Sequence, residues 1–207
     1  PEGVEGSVST LPGAFKEFIT GPEQEQVIRD NLWRCVEHVA ALSERTGKAL
    51  HLGLEPEPLG YFETSAETIT FFEQLRAEHP DDARLDAHLG VNYDTCHLAV
   101  EYEEAADALG AFRAAGIRIS KLHLSAALKV TPDAGTRARL KPFEEDIYLH
   151  QVIERQPDGT LTRHRDLDVA LATHSDADEW SIHFHIPLHC SGGEWFASTR
   201  DHIDGVL

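Results

Sequence analysis

Residues 49–55 read ALHLGLE, residues 88–94 read HLGVNYD, and residues 117–125 read IRISKLHLS. Each run is short and largely apolar, and each carries Glu55, Asp94 or His123 near its C-terminal end. Runs of this length and character read as buried strands of a parallel sheet. Helical stretches separate them. Residues 65–79 place Ile69, Phe72 and Leu75 on one face, with Pro80 as a stop, and residues 103–115 end at Gly116. Upstream, residues 4–10 read as a strand end before a Leu11-Pro12-Gly13 turn. Pro22 suits the first turn of a helix, and Gly47 fits as its C-terminal stop. Between them Val27, Ile28, Leu32, Cys35, Val36, Val39 and Leu42 recur at helical spacing. Strictly alternating strands and helices predict a parallel sheet with helical crossovers, either doubly wound or closed as a barrel. No GxGxxG or GxxxxGK[ST] follows any strand, so a nucleotide site is unsupported.

Beyond residue 125 the rhythm breaks. Residues 147–155 (IYLHQVIER) and 161–165 flank Pro157-Asp158-Gly159, which predicts a β-hairpin. Residues 166–174 read as a short helix, and 180–188 (WSIHFHIPL) as another buried strand.

The 207 residues include 36 acidic and 18 basic side chains, a formal net charge of −18. Such a surface repels a phosphate backbone, which argues against a nucleic-acid partner. No apolar run reaches the roughly 18 residues of a membrane span. Cys35, Cys96 and Cys190 are far apart and form no CxxC pair, which favours a reducing, cytoplasmic compartment over a disulfide framework. The chain has no Met and is short for an eight-stranded α/β barrel of roughly 250 residues, so it reads as part of a longer protein.

Polar residues collect at the C-terminal ends of the strands, the edge where ligands sit in parallel α/β proteins. Glu55 and Glu57 flank Pro56 and share a face if the segment stays extended, with Glu63 six residues beyond Glu57. They also fit as solvated loop acids. Asp94 can ligate a divalent ion, with His97 turning back over the same pocket; it also fits as a helix cap. His123 lies between leucines and fits either as a ligand or as a core histidine. His183 and His185 sit at i and i+2, on one side of a strand. A mixed carboxylate and imidazole set suits Mn²⁺, Fe²⁺, Co²⁺ or Zn²⁺, and thiolate-rich zinc is not suggested.

The order of these clusters resembles the xylose isomerase-like TIM barrels, the sugar phosphate isomerase and epimerase superfamily. Glu57 to Thr64 (EPLGYFET) is similar to the ExxxxxET stretch of its ketose 3-epimerases, and Asp94 with His97 to their DxxH. The resemblance implies Glu57, Asp94 and His123 as metal ligands; His185 completes the expected set from the last strand, with Glu55 as the alternative to Glu57 and His183 as the alternative to His185. It gives Glu57, Glu63 and His97 to catalysis, Glu57 as ligand and base, the other two as orienters of substrate hydroxyls. It implies one TIM-barrel domain over residues 1–207 holding strands four to eight, with the hairpin inserted after strand seven and the N-terminal part missing. The family's strand-eight Glu is replaced by His183 and His185. VSTLPG (8–13), LEPEP (54–58), YLHQ (148–151) and HFHIP (183–187) further resemble the bacterial EboE metabolite-traffic family, linked to export of secondary metabolites. The expected function is a metal-dependent isomerase or epimerase of a sugar-like, polyhydroxylated metabolite. The alternative is a non-catalytic binding or trafficking protein. A metal hydrolase of amidohydrolase type also uses His-x-His, but on its first strand.

Overall fold

A computed structural model describes residues 3–207. In chain order it runs β1 (Gly6–Thr10), α1 (Pro22–Thr46), β2 (Leu50–Leu54), α2 (Ser65–Glu78), α3 (Ala83–His88), β3 (Leu89–Asp94), α4 (Thr95–Val100), α5 (Ala105–Ala114) and β4 (Ile119–His123). There follow β5 (Ala126–Val130), α6 (Ala134–Leu140), β6 (Val152–Arg155), β7 (Leu161–His164), α7 (Leu167–Ala172), β8 (Glu179–Ile186), β9 (Ala197–Ser198) and α8 (Arg200–Val206). Two compact units result. The first holds the chain up to Asp94 together with Asp107–His123; the second holds Thr95–Ala106 and Leu124–Leu207.

In the first unit β1, β2, β3 and β4 lie side by side in chain order, all parallel. Strand alternation gives the sheet two unlike sides. Leu52 and Leu54 of β2 pair with Leu89 and Val91 of β3 and are buried with them, as is Tyr93. Tyr93 meets Phe112 edge-on, with ring centroids 6.3 Å apart. The long α1 packs on β2 and buries Ile28, Leu32, Trp33 and Val36. Pro22 occupies its first turn, and Gly47 ends it in the left-handed region at φ 64, a conformation that favours glycine. The other side of the sheet is polar: Ser9, His51, Asn92, Asp94, Lys121 and His123. Lys121 Nζ donates to Ser9 Oγ at 3.1 Å. Gly53 lies on this side because space is short: a Cβ there would sit 3.1 Å from the Asn92 backbone nitrogen and 3.2 Å from Ser120 Cβ.

In the second unit the sheet order is β7-β6-β8-β5-β9, and every pairing is antiparallel. β8 has two unlike faces. Trp180 and Ile182 are buried among Leu128, Val130, Leu140, Val152, Leu167 and Ala170. Phe184 and Ile186 extend that apolar row. His183 and His185 alternate with them on the opposite face, where β8 packs against α4. Every residue of α4 is buried. Its first turn is tied down by Thr95 Oγ1, which donates to the Ser125 carbonyl at 2.7 Å and accepts from the Ser125 amide at 2.8 Å.

The chain is therefore not strands four to eight of a TIM barrel. Only β1 to β4 are parallel, and the strand read at 180–188 pairs antiparallel with β5 and β6. Parallel neighbours need a crossover of a dozen or more residues, usually a helix. After β4 only Leu124 and Ser125 precede β5, a strand that the broken rhythm beyond residue 125 concealed. β5 then presents an antiparallel edge to β8. The 147–165 segment forms a hairpin of β6 and β7, turning at Gly159 with φ 84. β6 is an interior strand of the second sheet. Among the described residues no helix is long and apolar enough to cross a membrane.

Candidate metal centre

The ladder between β1 and β2 runs one residue past β2: the Glu55 amide donates to the Thr10 carbonyl at 3.0 Å. Since Leu54 faces the helices, Glu55 is turned to the polar side. Asp94 ends β3 directly opposite His123, which ends β4. Three parallel strands thus bring three side chains to one rim, and potential ligand atoms of Glu55, Asp94 and His123 all lie within 4.8 Å of one another. His123 Nδ1 is 3.1 Å from Glu55 Oε1 and 3.7 Å from Asp94 Oδ2. Asn92, fully buried two residues before Asp94, donates from Nδ2 to Glu55 Oε2 at 2.6 Å. The same Nδ2 lies 3.1 Å from His123 Nδ1.

The donor set fits a divalent ion. Two carboxylates and an imidazole supply oxygen and nitrogen ligands of the kind that suit Mn²⁺, Fe²⁺, Co²⁺ and Zn²⁺. Glu55 and Asp94 are largely withdrawn from water, with side chains 14% and 5% exposed. Two carboxylates held close at low dielectric repel unless a proton or cation joins them. His123 Nδ1 faces both a donor, Asn92, and an acceptor, Glu55, and one ring nitrogen serves only one of them at a time. A cation offers Nδ1 and both carboxylates a single partner. With such an ion bound, Asn92 would be the outer support that fixes the orientation of the Glu55 carboxylate.

The remaining site residues read from the sequence fall elsewhere. Glu57 is not in this group. Past Pro56 the chain stops being extended: the Glu57 carbonyl accepts from the Gly60 amide at 2.8 Å, and Leu59 has φ 63. Glu63 is buried and paired with Lys16, Nζ to Oε1 2.8 Å. Burial pulls the Lys16 amine down, but hydrogen bonds and charge from Glu63 and Glu67 outweigh it and hold the amine above its ordinary value. Thr64 caps α2 in a reciprocal capping box with Glu67.

His97 and His185 belong to the second unit, where they gather with Cys96 and His183; their potential ligand atoms also lie within 4.8 Å of one another. One convergence of Glu57, Asp94, His123 and His185 presupposed four adjacent parallel strands. β8 is antiparallel and lies in the other unit, so His185 takes different partners. Asn92 and Cys96 carried signals in the sequence that were not used. Asn92 is a polar residue inside an apolar strand, on the same face as Asp94. Cys96 stands beside His97 in a chain that also contains His-x-His.

No family model, no curated protein and no solved structure matches the chain.

Proposed function

We propose that the protein is a divalent-metal-dependent isomerase or epimerase of a small polyhydroxylated, sugar-like metabolite, with Glu55, Asp94 and His123 as the metal ligands. The observation that carries the reading is the gathering of their ligand atoms within 4.8 Å at the C-terminal rim of three adjacent parallel strands. A bound divalent ion supplies Lewis-acid polarisation of a carbonyl and a neighbouring hydroxyl. Three protein ligands leave coordination positions for such a substrate, unlike a closed four-ligand site. Asn92 holds Glu55 in its ligating orientation. Glu57 is the candidate base, because it is a carboxylate close in sequence to the rim that is not one of the ligands; it takes a proton from carbon at its carboxylate oxygen. Glu63, held by Lys16, orients substrate hydroxyls.

A second reading is a carrier that binds the metabolite without turning it over, in line with the EboE likeness. Its support is the ligand group itself, which contains two carboxylates and no further carboxylate in the place of the family's strand-eight Glu. The scattered cysteines, which form no disulfide among the described residues, suit a reducing compartment for either reading.

The test loads the purified chain with Mn²⁺ and screens aldoses, ketoses and their phosphates for exchange of the proton next to the carbonyl with solvent deuterium. Exchange that is lost in Asp94→Ala and in Glu57→Gln supports catalysis. Binding without exchange supports the carrier. Metal content in Asp94→Ala equal to wild type overturns both.

A further inference from the structure

The second unit holds a set of potential ligand side chains that the proposed reaction does not use. Cys96 and His97 come from α4, His183 and His185 from β8, and all four belong to the second unit. We infer that they form a closed four-ligand site for Zn²⁺ that clamps α4 to β8.

Geometry carries the inference. Tetrahedral zinc, with Zn–S of about 2.3 Å and Zn–N of about 2.0–2.1 Å, sets sulfur and nitrogen about 3.5 Å apart. Cys96 Sγ lies 3.6 Å from His185 Nε2. The three imidazoles surround a point and do not stack. His97 stands at 82° to His183 with centroids 4.9 Å apart, and at 85° to His185 at 6.0 Å. His183 and His185 are 5.3 Å apart at 63°. With all ligand atoms already within 4.8 Å of one another, shifts of about an ångström or less complete the tetrahedron.

Chemistry selects the metal. One thiolate and three imidazoles, with no carboxylate, suit Zn²⁺ or Co²⁺ and not Mn²⁺ or Mg²⁺. Binding breaks the Cys96 S–H bond, forms the S–metal bond and releases the proton to water. Four protein ligands leave no open position, which marks a structural rather than a catalytic site. A Cys–His nucleophile pair is a poorer account of the same residues, because Cys96 is 0% exposed and no substrate reaches its sulfur. His185, at the exposed end of the group, is where an ion enters.

The experiment strips the full chain with a chelator under reducing conditions and titrates it with Co²⁺. The expected result is a thiolate-to-cobalt charge-transfer band in the near ultraviolet, with intense visible bands of tetrahedral cobalt, saturating at one sulfur-bound ion per chain and displaced by Zn²⁺. The Glu55, Asp94 and His123 group contains no sulfur, so failure of that site leaves this band untouched. Cys96→Ser abolishes the charge-transfer band. His185→Ala, at an exposed position, weakens cobalt binding by at least about 10-fold, the scale on which even outer-shell losses act. Wild-type protein without a charge-transfer band overturns the inference. So does a band that survives Cys96→Ser, which would belong to Cys35 or Cys190, or a His185→Ala titration that matches wild type.

Discussion

The two ligand groups stand next to each other in sequence, Asp94 at the end of β3 and Cys96 in the first turn of α4, yet they are built in opposite ways. The first takes one residue from each of three parallel strand ends, and its donors are two carboxylates and one imidazole. The second takes neighbouring residues of a helix and the i, i+2 pair of an antiparallel strand, and its donors are one thiol and three imidazoles. At the strand rim Glu55 and Asp94 are mostly buried, whereas the second group reaches the surface at His185. The buried helix α4 supplies a thiol and an imidazole, donors that can be neutral. Chain geometry thus decides which donor side chains each unit gathers.

The largest expected effect tests whether the second group depends on the apolar face of its own strand. Trp180 is fully buried on the side of β8 opposite His183 and His185, and the Arg137 guanidinium lies 4.8 Å from its ring centroid. Trp180→Ala should lower stability by about 3–5 kcal/mol in urea unfolding of the whole chain. A loss below about 1 kcal/mol would mean that this core yields easily around the missing ring and does not fix the position of the histidines.

A smaller effect sharpens the contrast at the first group. Asn92→Leu keeps roughly the side-chain volume and removes the donor to Glu55. It should weaken Mn²⁺ binding by about 10–100-fold, the usual cost of losing an outer-shell partner, and leave the sulfur-to-cobalt band unchanged. Isothermal titration with Mn²⁺ decides this; wild-type affinity would show that Glu55 needs no support from Asn92.

The smallest effect concerns buried histidines outside both groups. Burial, helped by the Arg118 charge and only partly offset by Glu5, lowers His51 below its ordinary value of 6.5. Burial lowers His202 too, against the opposing charges of Glu104 and Asp201. Below about pH 6.5 the unfolded chain binds more protons at these residues than the folded one, so their contribution is intact above that pH and is lost as pH falls through the window beneath it. Unfolding midpoints measured with chelator present should drop on acidification. His202→Gln should shallow that drop, and a drop as steep as wild type would remove His202 from the account.

Much of the local structure was legible in residues. Pro22 and Gly47 bracket a helix because one suits a first turn and the other tolerates positive φ, both properties of single residues. The parallel order of β1 to β4 followed from apolar runs separated by helical crossovers. Asp94 and His123 were recognisable as strand-end polar residues. His183 and His185 shared a face for the local reason that strand side chains alternate. Three things depended on tertiary structure. A turn closed by a hydrogen bond from the Gly60 amide to the Glu57 carbonyl follows Pro56, and it is Glu55, not Glu57, whose carboxylate gathers with Asp94 and His123. Whether β8 joined a parallel or an antiparallel partner was set by β5, whose short apolar run carries no periodicity that states its direction. The partner of Cys96 was 89 residues distant. Alternation and helical spacing are properties of neighbours along the chain, whereas strand direction and ligand grouping are settled by which distant surfaces exclude water together.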